Sequence, residues 1–74
     1  MKMKMYLPAG LKDRDVAKIV HLANSTKKQV IARSDRWVVN AKSLLGMIAL
    51  VHEGQLIELE SDSEKVMDII AALF

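Results

Sequence analysis

The sequence predicts an α+β domain, an open-faced sandwich in which a four-stranded antiparallel sheet carries three helices on one face. Three observations lead there. Residues 1–7 alternate apolar and polar with period two. Two apolar stripes repeat with the helical period, one over residues 16–23 and one over residues 66–73. Four strand-like runs are spaced so that hairpins cannot join them all, which gives the order βαββαβα.

Met1-Lys2-Met3-Lys4-Met5-Tyr6-Leu7 reads as a half-buried strand, with Met1, Met3 and Met5 facing in and the lysines facing water. Pro8-Ala9-Gly10 ends it, because proline lacks an amide donor and glycine permits a turn. Residues 13–24 form the first helix, with Val16, Ile19, Val20 and Ala23 on one stripe. Asp13 and Asp15 lie in its first turn, where the helix dipole favours acids, and Asn24-Ser25 closes it. Gln29–Arg33 and Trp37–Asn40 are two strands joined through Ser34-Asp35-Arg36, which is not the favoured Asn-Gly turn.

A second helix covers roughly residues 43–51, with Asn40 or Ser43 as its cap. Glu53-Gly54 marks a turn, and Leu56-Ile57-Glu58-Leu59 begins the fourth strand. Ser61-Asp62-Ser63-Glu64 matches a capping box, with Ser61 as the cap. Val66, Ile69, Ile70 and Leu73 then form the stripe of a third helix.

Composition bounds the rest. With 74 residues the chain makes one domain, residues 1–74, with one core. A domain of that size buries roughly 60–65% of its unfolded surface, so its stability is modest. A hydrophobic share of 51% is too high for disorder. No apolar run reaches the roughly 18–20 residues that cross a bilayer, and the lysine-bearing start lacks the apolar core of a signal peptide. Cysteine is absent, which removes disulfides, thiol catalysis and the usual structural zinc ligands, and a cytoplasmic location is expected. The net charge of +2 is too small and scattered for nucleic acid, and 4% aromatics leave no stacking platform. No cofactor is expected. The first strand, as an edge, could pair with a second copy, so the chain is expected to be a monomer or weak dimer.

The second helix carries more apolar surface than one buried stripe needs. At about 100° per residue, Met47, Leu50 and Val51 fall on one side and Leu44, Leu45 and Ile48 on another. Either the helix is wedged beneath a loop or the last helix, or the second group faces solvent and marks a protein-binding surface. Ser43 stands at the mouth of this helix, where unpaired N–H groups and the helix dipole suit a phosphate.

Val39-Asn40-Ala41-Lys42-Ser43-Leu44-Leu45-Gly46-Met47-Ile48-Ala49-Leu50 resembles the regulatory segment of HPr, the histidine-containing phosphocarrier of the phosphoenolpyruvate-dependent sugar phosphotransferase system. That segment typically reads V-N-x-K-S-I-M-G-V-M-S-L. The resemblance extends over nearly the whole chain and implies the same βαββαβα fold. It implies that Ser43 is the serine phosphorylated by a dedicated kinase in Gram-positive bacteria, and that Lys42, Leu44, Leu45 and Ile48 contact partners. Those partners are a phosphotransferase-system enzyme, HPr kinase or a catabolite-control transcription factor.

The second family motif, G-I-H-A-R-P-A, carries the phosphorylated histidine. Counting back from Ser43 without a gap places Gly10-Leu11-Lys12-Asp13-Arg14-Asp15-Val16 on it. The histidine position is then Lys12 and the proline position Asp15. A protonated lysine has no free lone pair to accept a phosphoryl group, and Asp15 adds negative charge where one should arrive. Lys12 and Arg14 remain as candidate anion ligands beside a helix N-terminus, or as plain surface charges offset by Asp13 and Asp15. His21 and His52 read as exposed residues without a second ligand, so no metal site is expected.

No independent catalytic constellation is present. The reading is therefore a binding and regulatory relative of HPr, acting through Ser43 and its apolar neighbours. The alternatives are a working phosphocarrier that uses His21 or His52, and an HPr fold recruited to unrelated protein binding.

Overall fold

The computed structural model describes residues 1–35, 37–53 and 56–74. Its elements are β1 (Met3–Tyr6), α1 (Asp13–Ala23), β2 (Val30–Arg33), β3 (Val38–Asn40), α2 (Leu44–Glu53), β4 (Glu58–Ser61) and α3 (Glu64–Leu73). The order βαββαβα is the one the sequence predicts. The sheet runs β1-β4-β2-β3 with every pair antiparallel, so β1 and β3 are its edges.

The register sorts the side chains into two faces. Met5, Leu59, Ala32 and Val39 lie in one row across the sheet, and the helices cover this side. Leu59, Ala32 and Val30 are fully buried there, against Val16, Ile19 and Ala23 of α1, Met47 and Leu50 of α2, and Ile70 of α3. The alternate rows, Lys4–Glu60–Ile31–Asn40 and Tyr6–Glu58–Arg33–Val38, face away from the helices.

Among the described residues no element covers that outer face, yet Glu60 is buried on it. Its carboxylate accepts from Arg33 Nη1 at 2.8 Å and lies 3.5 Å from Lys2 Nζ and 3.7 Å from Lys4 Nζ. The three long cations lie over the acid, their stems supplying cover and their charges a counterbalance. The Arg33 hydrogen bond holds the Glu60 carboxyl below its ordinary value, opposed by desolvation and helped by the charges of Arg33 and Lys2.

Several expected boundaries move, each for a local reason. Met1 is fully exposed rather than turned inward, because pairing with β4 begins at Met3↔Ser61; Met3 and Met5 are half-buried. β4 starts at Glu58, two residues later than expected; Leu56 is exposed, while the Ile57 carbonyl accepts from Leu7 N–H at 2.8 Å. Ser61 belongs to β4, so it does not cap α3. Its hydroxyl donates to the Gln29 carbonyl at 2.7 Å and accepts from Ser63 N–H at 3.0 Å. The cap is Ser63, whose Oγ accepts from Val66 N–H.

The buried line of α3 is Val66, Met67 and Ile70, with Phe74 packed behind, whereas Leu73 is exposed. The stripe of α1 is as predicted: Val16, Ile19, Val20 and Ala23. The β2–β3 pair is the expected hairpin, shortened by a residue at the start of each strand. Of its turn, Ser34 N–H donates to the Trp37 carbonyl at 2.9 Å, and Arg36 lies outside the described residues. So does Gly54 of the expected Glu53-Gly54 turn. Among the described residues, no helix is long and apolar enough to cross a membrane.

Candidate functional site: the start of α2 and the two ends of α1

Ser43 immediately precedes α2. Its carbonyl accepts from Met47 N–H at 3.0 Å and its Oγ from Gly46 N–H at 3.2 Å, so of the two predicted candidates Ser43 is the one that caps the helix. Asn40 instead accepts through Oδ1 from Lys42 N–H at 2.9 Å, while its carbonyl accepts from Ser43 N–H. That Asx turn delivers the chain from β3 into the helix. Gly46 keeps the cap clear. A Cβ there would sit 3.3 Å from Ser43 Oγ and 3.5 Å from Val39 Cβ. The Ser43 side chain is exposed, so its hydroxyl both serves the helix and faces solvent.

The apolar surplus of α2 divides unevenly. Met47 and Leu50 are buried, and Val51 packs half-buried against the core. On the other side, Leu44 is 44% and Leu45 82% exposed, but Ile48 is half-buried and also packs on the core. The exposed patch is thus Leu44 and Leu45 at the first turn, next to Ser43, with Ile48 at its inner edge.

Lys42 points inward. Its Nζ donates to the Thr26 carbonyl at 2.6 Å in a half-buried position. Asn24, the residue closing α1, uses Nδ2 to reach both its own helix at the Val20 carbonyl (2.9 Å) and the Lys42 carbonyl (3.0 Å). The α1–β2 turn therefore grips the segment before Ser43 from two sides. The sequence marked Asn24 only as a helix end and gave no sign of Thr26. Contacts between residues 16 and 18 apart in the chain carry no local pattern.

The opposite end of α1 is a separate place. His52, in the last turn of α2, has Nε2 3.0 Å from Asp13 Oδ1 at the first turn of α1. With Asn24 joined to Lys42 at the other end, α1 and α2 run antiparallel. Ser43 and the Lys12–Arg14 segment are then separated by about one helix length, roughly 15 Å.

Lys12 is the residue preceding α1, and its N–H donates to the Asp15 carboxylate at 3.0 Å. The Asp15 carboxylate thus sets a negative charge at the start of α1, a placement that argues against an added anion beside Lys12 and Arg14. Both cations are exposed. His21 is exposed on the outer side of α1. Sequence reasoning placed His52 beyond α2 without a partner; the structure puts it inside the helix and supplies Asp13, 39 residues away. Among the described residues no group of acidic and histidine side chains could hold a metal ion.

The family model described as the PTS HPr component phosphorylation site matches residues 2–74. The chain is similar to the crystal structure of a phosphocarrier protein HPr from Bacillus anthracis str. Ames, with a TM-score of 0.75 and 28% identity over 96% of this chain and 94% of that one. It is likewise similar to HPr-C-His from Thermoanaerobacter tengcongensis, with a TM-score of 0.77 and 25% identity over 99% of this chain and 89% of that one. A search of curated protein sequences finds no significant match.

Proposed function

Since the chain belongs to the HPr family of the phosphotransferase system, whose members are phosphocarriers rather than enzymes, we propose that it acts as a regulatory and binding module through Ser43 and the leucines beside it, and does not pass phosphoryl groups on to another protein. The observation that carries this reading is the exposed Ser43 hydroxyl at the N-terminal pole of α2, flanked by exposed Leu44 and Leu45. A kinase would move the γ-phosphoryl group of ATP onto Ser43 Oγ, releasing ADP and the hydroxyl proton. The product dianion would sit where helix N–H groups and the dipole favour it. Leu44 and Leu45 would then meet a partner through apolar contact, with the phosphate setting affinity at the rim.

The other half of the reading rests on the gap-free correspondence that puts Lys12 at the family's histidine position. Protonated lysine offers no lone pair, and the Asp15 carboxylate already holds the Lys12 N–H. The partners fitting this reading are phosphotransferase-system enzymes, an HPr kinase and a transcriptional regulator, in a bacterial cytoplasm, where sugar transport is coupled to carbon catabolite regulation. Incubation with HPr kinase and ATP followed by mass spectrometry tests it. A gain of one phosphate at Ser43 is expected, and an unmodified Ser43 removes the regulatory half.

One observation favours a second reading, a phosphocarrier working through His52. Asp13 at 3.0 Å from Nε2 would hold that nitrogen's proton and leave Nδ1 as the nucleophile. Against it, the Asp13 carboxylate sets a negative charge beside the incoming phosphoryl group. Phosphoenolpyruvate and enzyme I would give an acid-labile phosphohistidine on this reading and none on the first.

A further inference from the structure

Resting on the reading of Ser43 as a phosphorylated residue, we infer that Lys42 is a phosphate-responsive latch: its ammonium leaves the Thr26 carbonyl for a phosphate on Ser43, and this releases the α1–β2 turn.

Lys42 Nζ is spent on a neutral acceptor, the Thr26 carbonyl at 2.6 Å. No ion pair of Lys42 with a carboxylate occurs among the described residues. A half-buried ammonium bonded only to a carbonyl is open to capture by any nearby anion, since charge-assisted hydrogen bonds are roughly twice as strong as those to neutral groups. Ser43 is the next residue, its Cα about 3.8 Å along the chain. A phosphate of charge near −2 on its Oγ falls within the sweep of the lysine side chain. The phosphate has a fixed seat, because Ser43 Oγ is held at Gly46 N–H and the helix pole.

The consequence lies on the other side of the latch. Thr26 Oγ1 accepts from Lys28 N–H at 3.1 Å, and Lys28 Nζ reaches the Asp62 carbonyl at 3.4 Å, just before α3. A chain of hydrogen bonds thus runs from Lys42 through Thr26 and Lys28 to the start of α3. Asn24 Nδ2 keeps its bond to the Lys42 carbonyl, so the backbone stays docked while the ammonium departs. The turn gains freedom without unfolding either helix. Phosphorylation at Ser43 is felt at residues 26–28, on a surface carrying Lys27 and Lys28.

The test uses the full chain with phosphoserine installed at position 43 by chemical ligation, so that no kinase is involved. A kinase that ignores the protein then overturns the functional reading alone. Nuclear magnetic resonance reads the Thr26 carbonyl carbon shift and the exchange rate of the Lys28 amide proton. Relative to unmodified protein, the carbonyl resonance should move upfield and Lys28 exchange should rise about fivefold, the loss expected for one ordinary hydrogen bond. Unmodified Lys42→Met should already show both changes, with phosphate adding nothing, and Lys42→Arg should restore the response. An unmoved Thr26 carbonyl in phosphorylated wild-type protein overturns the proposal, whether or not the variants fold. So does a phosphate response that survives in Lys42→Met.

Discussion

Arg33 places Nη1 2.8 Å from Glu60 Oε1, diagonally across two strands of the outer sheet face, while staying 3.7 Å from Oε1 of its register partner Glu58. The contact turns an exposed face into a shielded one for a single carboxylate, which Lys2 and Lys4 also cover. Because the folded state holds the Glu60 carboxyl below its ordinary value of 4.5, the contribution is complete above that value and is lost as pH falls through the lowered one. Denaturant unfolding between about pH 2 and pH 7 should show stability falling on the acid side, and Glu60→Gln should reduce that fall. Identical slopes for the two proteins would count against this account. Arg33→Ala should weaken the acid-side fall without abolishing it, since Lys2 and Lys4 still lie 3.5 and 3.7 Å from the Glu60 carboxylate.

The two sides of α2 make opposite predictions. Leu45 is 82% exposed, so Leu45→Asp should change stability by no more than about 0.5 kcal/mol while weakening partner binding. Leu50 is fully buried among α1, α2 and the sheet, so Leu50→Ala should cost about 2–5 kcal/mol. Thermal melts and a binding titration on the same samples separate the effects. Partner affinity that survives Leu45→Asp unchanged would remove the docking surface.

The two sides of α2 also bear on how much of the molecule the sequence disclosed. Period and spacing placed all seven elements, because Val16, Ile19, Val20 and Ala23, or the alternation from Met1 to Leu7, are local signals. The local pattern of α2 could list two apolar sides but not rank them. Whether Ile48 faces solvent depends on a core assembled from distant residues. The serine at the helix mouth was readable for the same local reason. Its setting was not: the Lys42–Thr26 and His52–Asp13 contacts join residues that only the antiparallel packing of α1 on α2 brings together. The cap of α3 moved from Ser61 to Ser63 because Ser61 pairs with Met3 and Val30 in the sheet, a choice no capping motif encodes.

Ser43→Ala should show two separable losses. The Gly46 N–H loses its side-chain acceptor, which costs about 0.5–2 kcal/mol of stability by the usual scale of cap removal. Any kinase-dependent mass increase should vanish as well. Ser43→Asp keeps an acceptor and adds a charge that the dipole favours, so its melting temperature should match or exceed that of the wild type. A Ser43→Asp protein less stable than Ser43→Ala would mean that the pole of α2 does not welcome negative charge.

The start of α1 offers a gain-of-function test of the proposed loss of phosphoryl transfer. Lys12 lacks an accepting lone pair, but replacing it is not sufficient on physical grounds. The Asp15 carboxylate accepts from the Lys12 N–H at 3.0 Å and sets a negative charge beside the pole that an arriving phosphoryl group would need. With phosphoenolpyruvate and enzyme I, wild-type protein should take up no acid-labile phosphate, and Lys12→His alone should take up little. Lys12→His combined with Asp15→Asn keeps an acceptor oxygen for the residue 12 N–H while removing the charge, and should be labelled markedly faster. Equal labelling of the single and double variants would show that Asp15 is no barrier. Labelling of the wild type, mapped to His52 by digestion, would show that phosphate reaches this protein through the Asp13–His52 pair instead.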